Sequence, residues 1–508
     1  MAISANRNKS IANAFGWKLL ERFGVLGIQF VLQIVLARLL DPKQYGVLSL
    51  MIVFVSLANV FIQTGFTGSL IQNKNIRVND YSSAFWISLL ISCALYIILF
   101  FLAPLIGIFY NMPDIVQPFR ALSIVLIPGV LNSIQTTKVT REMKFMNVFL
   151  SNTAAIVISG IAGIILAYEG AGIWALVIQY LLNTAVASIV MLFTVYWRPR
   201  LICNVKRVKR MFKYGSKILF SNLIDTLYQN LFNLAVGKGY DPATLGYFSR
   251  GRQFPQFVIN AVTGAIQSVM LPAMSAEQDS RDQVKELMRN SVMLSSYIVF
   301  PIMAGIAGES ASLVRILLTD KWAPCVPYIR IFCFSLAFDP VHMCNLEAIN
   351  AMGRSDITLK LQIVKKITGV MLLVFALLSF KSPIALAMTG VFSAVICFFI
   401  NAYPNRKLID YYYIDQIKDI CPSLIVSLSM YGWVIWVGTW GLGAPGTLIV
   451  QTAVGLASYL LMSVMFRLRP FVLLLNIAGD ILSRNNERTA GYVYRDPHYK
   501  VGYQADRS

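Results

Sequence analysis

Two apolar segments of this chain, about 200 residues apart, carry matching polar side chains. At an offset of 200, Arg22 corresponds to Asn222, Gln29 to Gln229 and Gln33 to Asn233, and Lys18 corresponds to Lys217 with a shift of one residue. The polar stripes are Lys18, Arg22, Gln29 and Gln33 in the first segment, and Asn222, Asp225, Thr226, Gln229 and Asn233 in the second. On a helix, the first four fall within about 60° of one another. An Arg or Lys at the centre of a lipid-exposed helix costs roughly 2.5–3.5 kcal/mol, so we expect both stripes to face a shared interior that binds a polar substrate. Two alternatives stay open. The amides could hold helices together at about 0.6 kcal/mol per pair, and Lys18 and Arg22 could reach the membrane surface.

Cationic side chains outnumber acidic ones within and beside the apolar segments. Further candidates for the interior are Arg250, Arg252 and Arg330, with Lys360, Lys365 and Lys366 in a later segment. As an alternative, Lys365 and Lys366 could be a pair at the membrane interface. The acidic side chains in the apolar segments are chiefly Asp225, Asp339 and Glu347. Diphosphate oxygens accept charge-assisted hydrogen bonds, so this balance favours an anionic substrate. A transporter of cationic drugs would need the reverse balance.

Four ionisable residues are candidates for coupling transport to an ion: Asp225, Asp339, His342 and Glu347. Protonatable groups inside a helix bundle can drive transport, and His342 follows Asp339 by one turn. A hydrogen-bonded structural histidine is the alternative for His342. Beyond a coupling ion, H⁺ or Na⁺, the sequence predicts no cofactor and no metal site.

The composition is that of a polytopic membrane protein. Apolar residues make up 57% of the chain and charged residues 13%, whereas soluble domains carry about 25% charged residues. Apolar runs of about 20 residues can each cross a bilayer core. They predict about fourteen transmembrane helices, near 14–37, 45–66, 84–109, 116–137, 147–168, 172–195, 215–237, 252–272, 289–307, 328–350, 357–380, 383–402, 419–440 and 446–466. The net charge of +20 does not indicate nucleic-acid binding, because the basic residues lie mostly between the apolar runs.

A repeated motif follows the lead helix of each half of the chain. Asp-Pro-x-x-x-Gly occurs from Asp41 to Gly46 and again from Asp241 to Gly246. Weaker signs of the same duplication are Pro128 with Asn132 in the fourth span and Pro340 with Asn345 in the tenth. The duplication predicts an all-α fold with two parallel six-helix lobes around a central cavity, followed by two extra C-terminal helices.

The charge distribution sets the predicted regions and their orientation. They are an N-terminal lobe at 1–197, a basic linker at 198–214, a C-terminal lobe at 215–402, extra spans at 403–466 and a tail at 467–508. Because basic loops stay in the cytoplasm, the linker and an even number of spans place both termini there.

The sequence lacks the P-loop, H-E-x-x-H and G-x-S-x-G motifs, so we expect a transporter and not an enzyme. A membrane glycan polymerase or ligase would expose a larger outward loop with acid–base groups. A scaffold for a glycan assembly complex would not need polar stripes inside its spans.

Several short motifs resemble one family of transporters. They are Ala37-Arg38-Leu39-Leu40-Asp41-Pro42 with Tyr45-Gly46, Gly65-Phe66, Leu70-Ile71-Gln72, Leu245-Gly246-Tyr247-Phe248-Ser249-Arg250, Leu271-Pro272-Ala273 and Asp320-Lys321-Trp322. Over about residues 12–465, the chain resembles bacterial polysaccharide repeat-unit flippases. It is similar to the colanic-acid-exporter (WzxC-type) branch of the multidrug/oligosaccharidyl-lipid/polysaccharide superfamily.

The resemblance implies how such a protein works. Two lobes enclose a cationic cavity and move undecaprenyl-diphosphate-linked oligosaccharide across the bacterial inner membrane by alternating access, for surface or exopolysaccharide biosynthesis. The implied partners are the lipid bilayer, this lipid-linked substrate and polysaccharide assembly proteins. Arg22, Arg250 and Arg252 are the implied contacts to diphosphate or sugar, and Arg38 and Asp41 are implied to be structural. Several relatives in the lipid II branch bind sodium with carboxylates from two helices, whereas here only Asp225 suggests such a site, so the energy source stays open.

Overall fold

A computed structural model describes residues 24–476, except 26, 73–75, 77 and 203. At 64–69, 71–72, 78, 205–214, 217, 265 and 268–269 it describes the backbone alone. Lys18 and Arg22 therefore lie outside the described residues. Throughout the described part of the chain, every regular element is helical, and ten of these helical segments are long and apolar enough to cross a membrane. The predicted all-α, polytopic fold is confirmed, and the count of fourteen spans stays a prediction.

The helices follow one another with short connections. They are α1 (Gly27–Leu39), α2 (Pro42–Gln72), α3 (Val78–Phe109), α4 (Val116–Ser123), α5 (Leu126–Glu142), α6 (Phe145–Tyr168), α7 (Ile173–Thr194), α8 (Val205–Gly239), α9 (Pro242–Ala276), α10 (Arg281–Leu317), α11 (Val326–Ala337), α12 (Asp339–Ala351), α13 (Ser355–Ser379), α14 (Pro383–Ala402), α15 (Asn405–Leu408), α16 (Tyr413–Val437) and α17 (Ala444–Met465). Short 3₁₀ helices at Pro113–Ile115 and Asp320–Cys325 precede α4 and α11.

The fourth and tenth predicted spans are each divided into two helices. α4 gives way to α5 after Ser123, and α11 gives way to α12 at Phe338. Pro340 is accepted near the start of α12 because the first backbone N–H groups of a helix have no partner within that helix. The two broken spans share the preceding 3₁₀ helix, the break and a following proline, which agrees with the duplication seen in the sequence.

The chain divides into two compact units that are interleaved along the sequence. Among the described residues, the first unit comprises those up to 257, 310–332 and 363–393, and the second comprises 258–309, 333–362 and those from 394 onward. The lobe, linker and tail limits predicted from the sequence stay a prediction.

In the first unit, the two Asp-Pro-x-x-x-Gly motifs pack directly against each other. A Cβ atom added to Gly46 would lie 1.7 Å from the Pro242 carbonyl oxygen, and one added to Gly246 would lie 2.1 Å from that of Pro42. Such distances are far below van der Waals contact, so only glycine permits this approach. The repeat found in the sequence is therefore the point where α2 and α9 cross.

The start of the polar tail packs on the core of the second unit. The rings of Tyr297 on α10 and Tyr459 on α17 pack with their centroids 5.1 Å apart and their planes tilted by 43°. The Tyr459 hydroxyl donates to the Tyr297 carbonyl oxygen. Residues 469–476 are helical, and Phe471 and Leu474 lie against this cluster. The first apolar residues of the tail thus pack against the core of this unit.

A carboxylate held by three hydrogen bonds joins α10 to α16 in the second unit. Arg289 donates from Nε and Nη2 to Asp419, both at 2.8 Å, and the Tyr411 hydroxyl donates to the same carboxylate at 2.8 Å. Burial, followed by this hydrogen bond to Asp419, raises the pKa of Tyr411, so the phenol stays protonated and keeps donating.

Removing the arginine from this contact should be clearly destabilising. We expect Arg289→Met to lower the free energy of unfolding by about 3 kcal/mol, because it leaves the buried Asp419 carboxylate without its cation. Asp419→Asn should cost less, since the half-exposed guanidinium can turn to water. Thermal unfolding in detergent measures both, with the exposed neighbour Lys418→Gln as control. Equal losses for the two variants would contradict this account.

Candidate functional site

The first unit contains a buried guanidinium surrounded by amides and aromatic rings. Arg250 on α9 is only 6% exposed, and its Cζ atom lies 4.1 Å from the centroid of the Tyr45 ring. Its Nη1 donates to Gln33 Oε1 at 3.2 Å and to Gln253 Oε1 at 2.5 Å. Gln253 Nε2 donates in turn to Gln33 Oε1 at 2.6 Å. These residues, with Trp322, are called the Arg250 cluster below.

The repeated motif caps the first turns of α2 and α9, the helices that carry Tyr45 and Arg250. At the start of α9, Asp241 accepts hydrogen bonds from the Thr244 backbone and hydroxyl. Burial raises the pKa of Asp241, but the hydrogen bonds from Thr244 outweigh it and hold the pKa below its usual range. At the start of α2, the roles are reversed, because the Asp41 backbone N–H donates to the side chain of Gln44 at 3.0 Å. Each copy thus uses one half of a capping box.

Aromatic packing between Trp322 and Tyr45 holds one side of the Arg250 cluster in place. Trp322 is fully buried, stacks edge-on against Tyr45 at 5.4 Å, and donates from its indole N–H to the Ala37 carbonyl oxygen at 2.8 Å. Arg38 donates to the Leu317 carbonyl oxygen at 2.9 Å, and Lys321 donates to the Arg38 carbonyl oxygen at 2.8 Å. These contacts tie α1 to the end of α10 and hold Tyr45 beneath Arg250.

Arg250 forms no salt bridge with a carboxylate in the part of the chain that the structure describes. Its buried Nε has no hydrogen-bond partner among the described residues. Burying an unpaired charge is strongly unfavourable, whereas cation–π contact and two neutral acceptors offset only part of that cost. An incoming anion would supply the missing charge.

A second group of polar contacts follows α8. Lys366 on α13 forms an ion pair with Asp225, and Arg252 Nη1 approaches the Gln229 carbonyl oxygen at 3.4 Å. Asn222 and Asn233 are half-buried, and the Gln229 side chain is exposed. The stripe predicted from the sequence thus lies along one helix, while its cationic contacts come from α9 and α13.

The remaining predicted site residues lie apart from the Arg250 cluster. Gln29 is exposed on α1, and Arg330 donates to the Ser310 hydroxyl at 3.1 Å. Three of the four ion-coupling candidates, Asp339, His342 and Glu347, share α12 in the second unit. Their roles, and those of the substrate-binding candidates, stay predictions.

Sequence reasoning missed three members of the cluster: Gln253, Tyr45 and Trp322. A signal was available for Tyr45 and Arg250, because they depart from the duplication. At an offset of 200, Tyr45 corresponds to Leu245, and Arg250 corresponds to Leu50. Gln253 lies three residues after Arg250, the spacing at which helix neighbours meet.

Comparisons with known proteins agree with this picture. The E. coli (strain K12) lipopolysaccharide biosynthesis protein WzxC is 24% identical over 370 residues, covering 71% of this chain and 73% of that protein. The teichuronic acid biosynthesis protein TuaB of Bacillus subtilis (strain 168) is 19% identical over 468 residues, covering 90% and 95%. The solved structure of the lipid II flippase MurJ in an inward closed conformation superimposes with a TM-score of 0.73 at 15% identity, covering 90% of this chain and 99% of that one. This likeness concerns the fold.

Residues 35–327 match the sequence profile of a family described as polysaccharide biosynthesis protein. The match spans more than half of the chain and includes both Asp-Pro-x-x-x-Gly motifs, Arg250 and Trp322. The resemblance to polysaccharide repeat-unit flippases is thereby confirmed, and this multi-pass membrane protein belongs to the polysaccharide biosynthesis protein family.

Proposed function

We propose that this protein is a flippase that moves undecaprenyl-diphosphate-linked oligosaccharide repeat units across the bacterial inner membrane by alternating access, for surface or exopolysaccharide biosynthesis. Family membership supports the role in polysaccharide biosynthesis. The relatives WzxC and TuaB are named for lipopolysaccharide and teichuronic acid biosynthesis. The protein works without a covalent step, and both of its termini lie in the cytoplasm.

One observation supports an anionic lipid-linked substrate above all: the buried Arg250 guanidinium without an acidic partner among the described residues. A diphosphate group supplies oxygen acceptors and negative charge, and the planar guanidinium matches phosphate oxygens with two parallel hydrogen bonds. Gln33 and Gln253 each offer an oxygen to Nη1, which orients the guanidinium. The buried Nε lacks an acceptor, which a phosphate oxygen would supply.

The rest of the proposed site extends from this anchor. Arg252, beside Gln229, and the amides of α8 bind polar parts of the substrate, and the polyprenyl tail stays in the surrounding lipid. A carrier of cationic drugs would place carboxylates where Arg250 and its amides lie. A polymerase or ligase would need acid–base groups beside the sugar, and the Arg250 cluster contains a cation, amides and aromatic rings only.

Leaflet exchange tests this function directly. The purified protein is reconstituted in liposomes with a fluorescent polyprenyl-diphosphate oligosaccharide, and a membrane-impermeant quencher reports how fast inner-leaflet label reaches the outer leaflet. We expect exchange well above that of empty liposomes and of liposomes that contain an unrelated polytopic protein.

Two further arms make the result specific. A labelled neutral polyprenol without the diphosphate should not be exchanged, since it offers nothing to Arg250. Wild-type exchange equal to that of empty liposomes, with or without imposed ion gradients, would overturn the proposal.

A further inference from the structure

An ion pair joins α8 to α13 in the first unit. Lys366 Nζ contacts Asp225 Oδ1, and the two side chains are 22% and 43% exposed. Asp225 lies in the middle of α8, and Lys366 lies near the centre of α13, a helix long and apolar enough to span the membrane. The pair therefore lies far from the ends of both helices. Only near those ends could a side chain reach bulk water.

A tyrosine side chain of α8 packs against a glycine of α13 beside this ion pair. A Cβ atom added to Gly369 would lie 2.0 Å from the Tyr228 hydroxyl oxygen. Gly369 and Tyr228 each follow a member of the ion pair by three residues, so they lie on the same helix faces as Lys366 and Asp225. The aromatic ring over the glycine holds α8 and α13 in a register in which the two charges meet.

A carboxylate that lies beside the centre of a membrane-spanning helix such as α13 needs a compensating positive charge. Three sources could supply it: a dissolved cation such as Na⁺, a proton, or a basic side chain. The structure provides the third, because the ammonium group of Lys366 contacts the carboxylate directly. A tethered ammonium has the charge of a sodium ion but is always present, whatever the composition of the medium.

We propose that Lys366 is the built-in counter-cation of Asp225, and that it occupies the position that a dissolved Na⁺ would otherwise take at this carboxylate. The inference deepens the proposed function, because it concerns the coupling of the same carrier. The binding of Na⁺ to the protein can nevertheless be measured without any substrate. Asp225 then becomes a sodium site only when Lys366 is removed.

The test compares thermal unfolding in NaCl and in choline chloride at equal ionic strength. We expect the wild-type protein to unfold at the same temperature in both salts. Lys366→Met should unfold at a lower temperature in choline chloride and gain at least about 3 °C in NaCl, because Na⁺ binds the folded state alone. The double variant Asp225→Asn/Lys366→Met should lose this sodium effect. Lys360→Met, which removes an exposed lysine of the same helix, is the matched control and should behave as wild type.

Two results would overturn the inference. One is a sodium-specific stabilisation of the wild-type protein that Asp225→Asn abolishes, since the carboxylate would then bind Na⁺ with Lys366 in place. The other is a Lys366→Met variant that unfolds like wild type in both salts. If Lys366→Met yields no folded protein, the double variant decides. A double variant that folds supports the inference, and a double variant that does not fold contradicts it. Because none of these measurements uses the lipid-linked substrate, their outcome is independent of the leaflet-exchange result.

Discussion

Replacing Arg250 with methionine should slow leaflet exchange by at least about tenfold without lowering the temperature of unfolding. A hydrogen bond to a charged group contributes about 1.5–3 kcal/mol, and about 1.4 kcal/mol corresponds to a tenfold change. Loss of the phosphate contacts alone therefore gives this effect. Stability is spared because the variant removes a buried charge without an acidic partner in the described chain. Methionine still packs on Tyr45, and Gln253 still donates to Gln33.

Two companion variants separate binding from a merely structural role. Arg250→Lys keeps the positive charge but loses the planar guanidinium and its parallel N–H donors. The rate of leaflet exchange should therefore be intermediate between those of wild type and Arg250→Met. Arg315→Met removes an arginine whose side chain is 66% exposed, and it should change neither exchange nor stability. If Arg250→Met instead slows exchange only in proportion to a loss of folded protein, Arg250 serves the fold and not the substrate.

Replacing Gly46 with alanine should largely prevent the protein from folding. The added methyl group would lie 1.7 Å from the Pro242 carbonyl oxygen and 2.7 Å from its carbonyl carbon. Overpacked cores typically lose 1–3 kcal/mol when side chains can yield. Here backbone atoms are in the way and α2 must move away from α9, so we expect a loss beyond about 3 kcal/mol. Size-exclusion chromatography in detergent and thermal unfolding measure it.

The reciprocal geometry makes this prediction sharper. Gly246→Ala should be equally harmful, and the double variant should cost less than the sum of the two, because the first methyl group already separates the helices. Gly432→Ala is the matched control: this glycine of α16 has no heavy atom within 4 Å of an added Cβ. Alanine there should be neutral or stabilising by up to about 1 kcal/mol. A Gly46→Ala protein that is folded and as stable as wild type would show that α2 and α9 do not cross as described.

The features that follow from local chemistry could be read from the sequence. Hydropathy gave the all-α class because a bilayer leaves the backbone no alternative to helices or closed barrels. The offset of 200 residues identified Asp41 and Asp241, whose capping roles depend on neighbours three residues away. The sequence also identifies Gln33 and Arg250 as candidates, since amide and guanidinium groups inside apolar segments need polar partners.

The contacts between distant segments could not be read in this way. Gln33 and Arg250 lie 217 residues apart, and nothing in their local patterns says that they meet. Lys366 was recognised as a cation within a span, but its pairing with Asp225 depends on how α13 packs on α8. Trp322 was visible only as a motif, because its place beneath Tyr45 is set by the packing of the 3₁₀ helix at Asp320–Cys325.

The contact between the two glycine motifs has a consequence for the history of the chain. Each motif presents its glycine to the proline carbonyl of the other, which is the isologous arrangement of two identical surfaces about a twofold axis. A homodimer of one ancestral half-protein would have had this interface before gene fusion. In the present chain the two halves differ at this place, since position 250 is arginine and position 50 is leucine. Two pseudo-symmetric halves thus hold a single arginine at this place. A strict homodimer would carry the same residue at both equivalent positions.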